Sequence, residues 1–222
     1  MRNNNLPLCL CLFFVFVKNC WIVKVNTLQN PFRPTSSSHN LFPTQSISHF
    51  SIMSSQECLN HVKSSNKNVE LSEGLEKVDE GAFEDCLELE SIKLPNSVKC
   101  IGDRAFFKCK NLKKVRFGTG LESVGSESFA HCTSLELVEI PSSVKVIKDR
   151  AFNFCQSLEI VELSLGIMEI GAGAFHGCKS LNYIDIPSSV TKLETQVFLD
   201  CSELKEVNLN EGLTMIEAKA FK

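Results

Sequence analysis

The sequence predicts an α/β solenoid of stacked 23-residue coils, each with a short parallel strand and a short helix or helical turn. Three observations carry this reading. Phe83, Phe106, Phe129, Phe152, Phe175, Phe198 and Phe221 stand 23 residues apart throughout. Cys86, Cys109, Cys132, Cys155, Cys178 and Cys201 keep the same step, three residues after each Phe. Leu89, Leu112, Leu135, Leu158, Leu181 and Leu204 follow at the same interval. A fixed period of this size is the signature of a repeat architecture, in which one unit cannot bury its own apolar face.

The strand comes from the frame Leu89-x-x-Ile92-x-Leu94, a leucine-rich-repeat pattern whose alternate side chains turn inward. It recurs as Val115 and Phe117, Val138 and Ile140, Val161 and Leu163, Ile184 and Ile186, and Val207 and Leu209. Val98 and Ile101, with their equivalents, fill the space behind the strand. The return arc places Ala105, Phe106 and Cys109 on one side at helical spacing, so a short helix or helical turn is expected there. Strands about 4.8 Å apart make a rod ~30 Å long.

The turn after the strand alternates between two forms. Pro95-Asn-Ser97, Pro141-Ser-Ser143 and Pro187-Ser-Ser189 interleave with glycine-bearing turns at Gly74, Gly120, Gly166 and Gly212. The glycine form is expected to supply a positive φ. The unit of duplication is thus a 46-residue pair.

Residues 1–68 do not share the repeat. Arg2 and an apolar run from Leu6 to Val17 resemble a secretory leader, but the run is short for a membrane span. A Ser-, Thr-, Asn- and Pro-rich linker follows from Asn26 to Ser55. Three readings stand: a secretory signal with a tether, a basic organelle transit segment, or an upstream extension with translation starting at Met53. A secreted or cell-surface location follows from the first and a cytoplasmic one from the last. The chain contains no Asn-x-Ser/Thr sequon. Residues 69–222 are the expected solenoid of about seven units, the last incomplete.

Charge is divided between the two parts. Six Lys/Arg face one acid, Glu57, in residues 1–68, whereas 17 Lys/Arg face 25 Asp/Glu beyond them. An acidic body repels phosphate backbones, so no nucleic-acid partner is expected. No membrane span is expected in the repeats.

Units such as Pro141-Ser-Ser-Val-Lys-Val-Ile-Lys-Asp-Arg-Ala-Phe-Asn-Phe-Cys-Gln-Ser-Leu158 resemble the BspA-type leucine-rich repeat over residues 69–222. That resemblance implies adhesion or protein binding, and supplies no catalytic residues.

Apparent chemical motifs read as structure. The Cys ladder lacks the C-x2-4-C spacing of zinc sites. Stacked distances permit bridging, but a column shared with Phe and Leu reads as small buried hydrophobes in the reduced state. Cys100 lies off the ladder. Gly118-x-Gly120-x4-Gly125 and Gly171-x-Gly173 match no phosphate loop and read as turns. His131 beside Cys132 does not make a nucleophile pair, because Cys132 belongs to the ladder. The basic stretch Lys108 to Arg116 reads as a solvated face. No catalytic residue, metal site or cofactor is expected.

Binding is expected on the strand face, where the positions flanking each inward residue point to solvent. One outward column reads Ser91, Lys114, Leu137, Ile160, Tyr183, Glu206, and the other Lys93, Arg116, Glu139, Glu162, Asp185, Asn208. Leu137, Ile160 and Tyr183 make an apolar strip beside the acids Glu139, Glu162 and Asp185. Lys93, Lys114 and Arg116 form the basic end. The expected partner is a protein with an apolar ridge beside a basic row. A spacer role, or a catalytic part beyond this chain, is the alternative. The sequence stops before the Cys due at 224, so a fragment, or self-association through an uncapped last rung, is expected.

Overall fold

The computed structural model describes residues 67–222 together with two strand segments, β1 (Ile22–Val25) and β2 (Ser46–Ile47). Most of residues 1–66, and with them the leader and linker readings, lie outside the described residues.

Alternating burial along each strand selects one parallel sheet as the face of the solenoid. Its members are β3 (Asn68–Leu71), β5 (Ser91–Lys93), β7 (Lys114–Arg116), β9 (Leu137–Glu139), β11 (Ile160–Glu162), β13 (Tyr183–Ile186) and β15 (Glu206–Leu209). They pair in chain order, with β2 beyond β3 and β1 beyond β15. The far edge of β15 carries β1 in parallel register, Ile22 beside Glu206 through Val25 beside Leu209.

A second strand per coil was not foreseen. Two-residue strands β4 (Lys77–Val78), β6 (Cys100–Ile101), β8 (Ser123–Val124), β10 (Val146–Ile147) and β12 (Glu169–Ile170) form a second parallel sheet. A further pair, β14 (Lys192–Leu193) and β16 (Met215–Ile216), repeats the arrangement. Val78, Ile101, Val124, Ile147, Ile170 and Leu193, expected only to fill space, are the buried members of these strands.

Of the two forms expected for the return arc, a short helix or a helical turn, the described residues contain no helix and only single turns, so the solenoid there is built from parallel strands and turns. Cys86 N donates to Phe83 O at 3.1 Å and Cys109 N to Phe106 O at 3.2 Å, each three residues back. The amides between them reach the next coil instead: Phe83 N to Ala105 O at 2.6 Å, Phe106 N to Ser128 O at 2.7 Å, Phe129 N to Ala151 O at 2.8 Å. A helix would commit every amide to its own segment. Here alternate amides stitch neighbouring coils.

That stitching requires two left-handed residues per arc. Arg104 (φ 56°), Glu127 (φ 54°), Arg150 (φ 54°), Gln196 (φ 62°) and Lys219 (φ 61°) occupy one such column, with Gly81 and Gly173. Asp85, Lys108, His131, Phe154 and Asp200 occupy the other, with Gly177. A left-handed non-glycine residue costs about 1–2 kcal/mol. Two inter-coil hydrogen bonds at about 1 kcal/mol each offset much of that.

The alternating glycines act differently from expectation. Gly74 has a positive φ (98°), but Gly120, Gly166 and Gly212 do not. A Cβ at Gly120, Gly166 or Gly212 would run into the carbonyl oxygen of Asn96, Ser142 or Ser188, respectively, on the preceding coil. The Pro-Ser-Ser turn projects a carbonyl, and only glycine fits beneath it. This close approach accounts for the 46-residue pairing.

The core is one continuous column set. Phe106, Phe129, Phe152 and Phe175 are fully buried, and successive rings from Phe83 to Phe221 stack with centroids 4.9–5.7 Å apart. Offset stacking of this kind is the geometry aromatic rings prefer.

Candidate functional site

The face sheet positions the candidate site by simple alternation. Val138, Val161 and Ile184 point into the core, which turns their neighbours outward. Parallel register sets Leu137 beside Ile160 and Ile160 beside Tyr183 on adjacent strands. Ile160 is 48% exposed and Tyr183 40%, while Leu137 is half-buried. The three expected apolar residues therefore stand side by side.

The acidic row lies along one flank. Glu139 is register-paired with Glu162, and both are exposed, as is Asp185. Like charges directly opposite each other disfavour the pairing they sit on. Sequence reasoning missed that the other flank is acidic too. Glu136 and Glu159, immediately before Leu137 and Ile160, are exposed. Their column reads Lys67, Glu90, Lys113, Glu136, Glu159, Asn182, Lys205, so the signal was present but unread. Among the described residues, none of Glu136, Glu139, Glu159, Glu162 and Asp185 makes an ion pair.

Tyr183 ties the strip to its acidic flank. Burial, the hydrogen bond and charge of Asp185, and the charge of Glu206 push its phenol up to about 12, against a hydrogen bond with Asn208 that acts the other way. The neutral phenol is thus favoured on three counts.

The basic end is partly neutralised. Lys93 pairs with Glu70, Lys67 with Glu90 at 2.7 Å, and Lys113 reaches Glu90 at 3.9 Å. Hydrogen bonding and charge from Lys67 hold the Glu90 carboxyl below the usual carboxylate range. Lys114 and Arg116 are exposed and outside any ion pair among the described residues. Lys114 is beside Leu137 in register, so the cationic end and the apolar strip adjoin.

The structure separates the groups that adjacency in sequence brings together. Cys132 is fully buried and its thiol donates to Phe106 O at 3.2 Å, while burial raises its pKa strongly. The His131 ring lies outside the core, stacked on Phe154 at 5.1 Å and edge-on to Phe107 at 5.6 Å. Burial and the charge of Lys108 lower its pKa. Along the ladder Cys109, Cys132, Cys155, Cys178 and Cys201 are free and buried, and Cys86 is disulfide-bonded, a departure from a wholly reduced ladder. Cys100 is half-buried. Among the described residues no group of His, Cys, Asp and Glu is placed to hold a metal ion. No helix among them is long and apolar enough to cross a membrane.

Four further exposed apolar residues, Leu87, Leu165, Met168 and Met215, escaped notice in the sequence. Leu165 and Met168 are 75% and 64% exposed. Leu165 stands in a column of Glu73, Asn96, Thr119, Ser142, Ser188 and Glu211, where every other member is polar.

Known proteins resemble this chain in sequence and in fold. A model of the BspA type leucine rich repeat region matches in six copies, over residues 35–158 and 122–222. A solved leucine-rich repeat protein of T. pallidum is 34% identical, with a TM-score of 0.65, covering 67% of this chain and 72% of its own. One from Bacteroides ovatus is 26% identical with a TM-score of 0.50, covering 64% of this chain and 43% of its own. The chain thus spans less than half of the second relative. No curated protein matches.

Proposed function

Since the chain belongs to the BspA-type leucine-rich-repeat family, we propose that it is a non-catalytic protein-binding module, a scaffold or adhesin, that grips its partner with the strand face. The observation that carries this is the strip of Leu137, Ile160 and Tyr183, exposed on adjacent rungs and bordered on both sides by carboxylates outside any ion pair among the described residues. Exposed apolar groups rimmed by polar ones mark interaction sites. Tyr is enriched among residues that dominate binding energy. The matching partner carries an apolar ridge flanked by Lys or Arg, with acidic groups able to reach Lys114 and Arg116.

The test is capture of partner from native extract by wild-type chain and by the triple variant Leu137→Asp, Ile160→Asp, Tyr183→Ser. Half-exposed side chains contribute about 1 kcal/mol each, so the triple change weakens binding about a hundredfold. The fold is expected to persist, because the Phe column lies behind the strand. Capture that survives the triple change overturns the reading and leaves the repeats as a spacer.

A further inference from the structure

The coil that opens at Ile160 differs from its neighbours. Between positions 159 and 169 every exposed residue is apolar or acidic: Glu159, Ile160, Glu162, Leu165, Met168 and Glu169. The equivalent stretch one coil earlier exposes Ser142 and Lys145, and one coil later Asn182, Ser188 and Thr191. Met168 stands where other coils carry Glu76, Lys99, Glu122, Lys145, Thr191 or Thr214. The three carboxylates make no ion pair among the described residues.

Local geometry joins these groups into a path. Ile167 N donates to Ser164 O at 3.2 Å, closing a turn between β11 and β12 that carries Leu165, with Met168 next to it. Ile160 lies on the face sheet and Glu169 on the second sheet, so the exposed apolar groups run around the corner between them. A single exposed aliphatic residue is ordinary. Three on one coil, interleaved with carboxylates and no cation, match one chemistry.

We infer that the partner's segment lies across the stack along this coil, as a cationic amphipathic stretch. Its apolar side chains rest on Ile160, Leu165 and Met168, and its Lys or Arg side chains meet Glu159, Glu162 and Glu169. This rests on the strand-face reading and deepens it, giving the partner a direction and a basic, apolar composition.

The test uses the full chain and a fluorescent 12-residue peptide alternating Lys with Leu, read by anisotropy. Comparison peptides alternate Glu with Leu, or are all Lys. Wild type is expected to bind the Lys/Leu peptide at least tenfold more tightly than either. The variant Leu165→Ser/Met168→Ser is expected to lose at least tenfold, with an unchanged thermal melt because both side chains are exposed. If that variant binds like wild type while Leu137→Ser/Tyr183→Ser loses binding, the segment runs along the stack and this inference falls, leaving the strand-face reading in place. Loss by both variants is expected if the segment starts on the strand face and crosses the stack; loss by the first with full binding by the second also supports the path and narrows the strand-face contact to Ile160. All-Lys binding equal to Lys/Leu overturns the apolar path. No binding of the Lys/Leu peptide overturns this inference and leaves the strand-face reading to the capture test.

Discussion

The thiol of Cys155 donates a hydrogen bond to the carbonyl of Phe129, 3.1 Å away and 26 residues earlier. Cys109 to Phe83, Cys178 to Phe152 and Cys201 to Phe175 repeat it at 2.9, 3.2 and 3.1 Å. A buried thiol is a small hydrophobe with one weak donor, and here the donor is used between coils. Burial pushes the thiols of Cys109 and Cys201 up to about 12. Native protein treated with a thiol reagent at neutral pH is therefore expected to label at half-buried Cys100 and to spare the five buried thiols until denaturant is added. Labelling of Cys155 as fast as Cys100 would show the column is not closed.

Phe152 is stacked on both sides, 5.2 Å from Phe129 and 5.5 Å from Phe175, whereas half-buried Phe221 meets only Phe198, at 5.3 Å. Truncating a buried Phe to Ala costs about 3–5 kcal/mol, through lost burial and the cavity left behind. Phe152→Ala should fall in that range in urea unfolding, and Phe221→Ala well below it. Equal costs would deny that the column is the main support.

Gly166→Ala should destabilise by about 2 kcal/mol or more, because its Cβ would meet the Ser142 carbonyl, a backbone atom that cannot rotate away. Gly74→Ala meets nothing but must hold a positive φ of 98°, at about 1–2 kcal/mol. Thermal melts of the two variants rank them. A neutral or stabilising Gly166→Ala would refute the close approach as the reason for glycine.

Tyr183 is the chain's single Tyr, so ultraviolet titration of phenolate reads it alone. Its midpoint is expected at about 12. Asp185→Asn should bring it down by removing the charge that opposes phenolate. The unfolded phenol titrates near pH 10, below the folded one. Its contribution to stability is therefore whole below about pH 10 and is lost as pH rises through about 12. A midpoint near 10 in native protein would detach Tyr183 from Asp185.

Most of the candidate site was legible in the sequence because strand alternation is strictly local. Val138 pointing inward forces Leu137 and Glu139 outward, whatever the rest of the coil does. Glu136 and Glu159 were missed for a different reason. They precede the strand, where the two-residue alternation does not hold, and Glu136 and Leu137 both face out in succession. Leu165 and Met168 stand out in their columns, yet the turn that carries them gives no local cue that they lie on the corner between two sheets.

The sequence alone determined the 23-residue coil, the Phe and Cys columns and the outward faces of the strands, because each follows from which side chains must leave water. Only the tertiary structure decided the path of the arc, the second sheet and the purpose of the alternating glycines. Those depend on backbone groups of one coil meeting backbone groups of the next, as when Phe106 N finds Ser128 O. Side-chain spacing within a segment registers what is greasy, but it holds no trace of a hydrogen bond whose partner lies a full turn away.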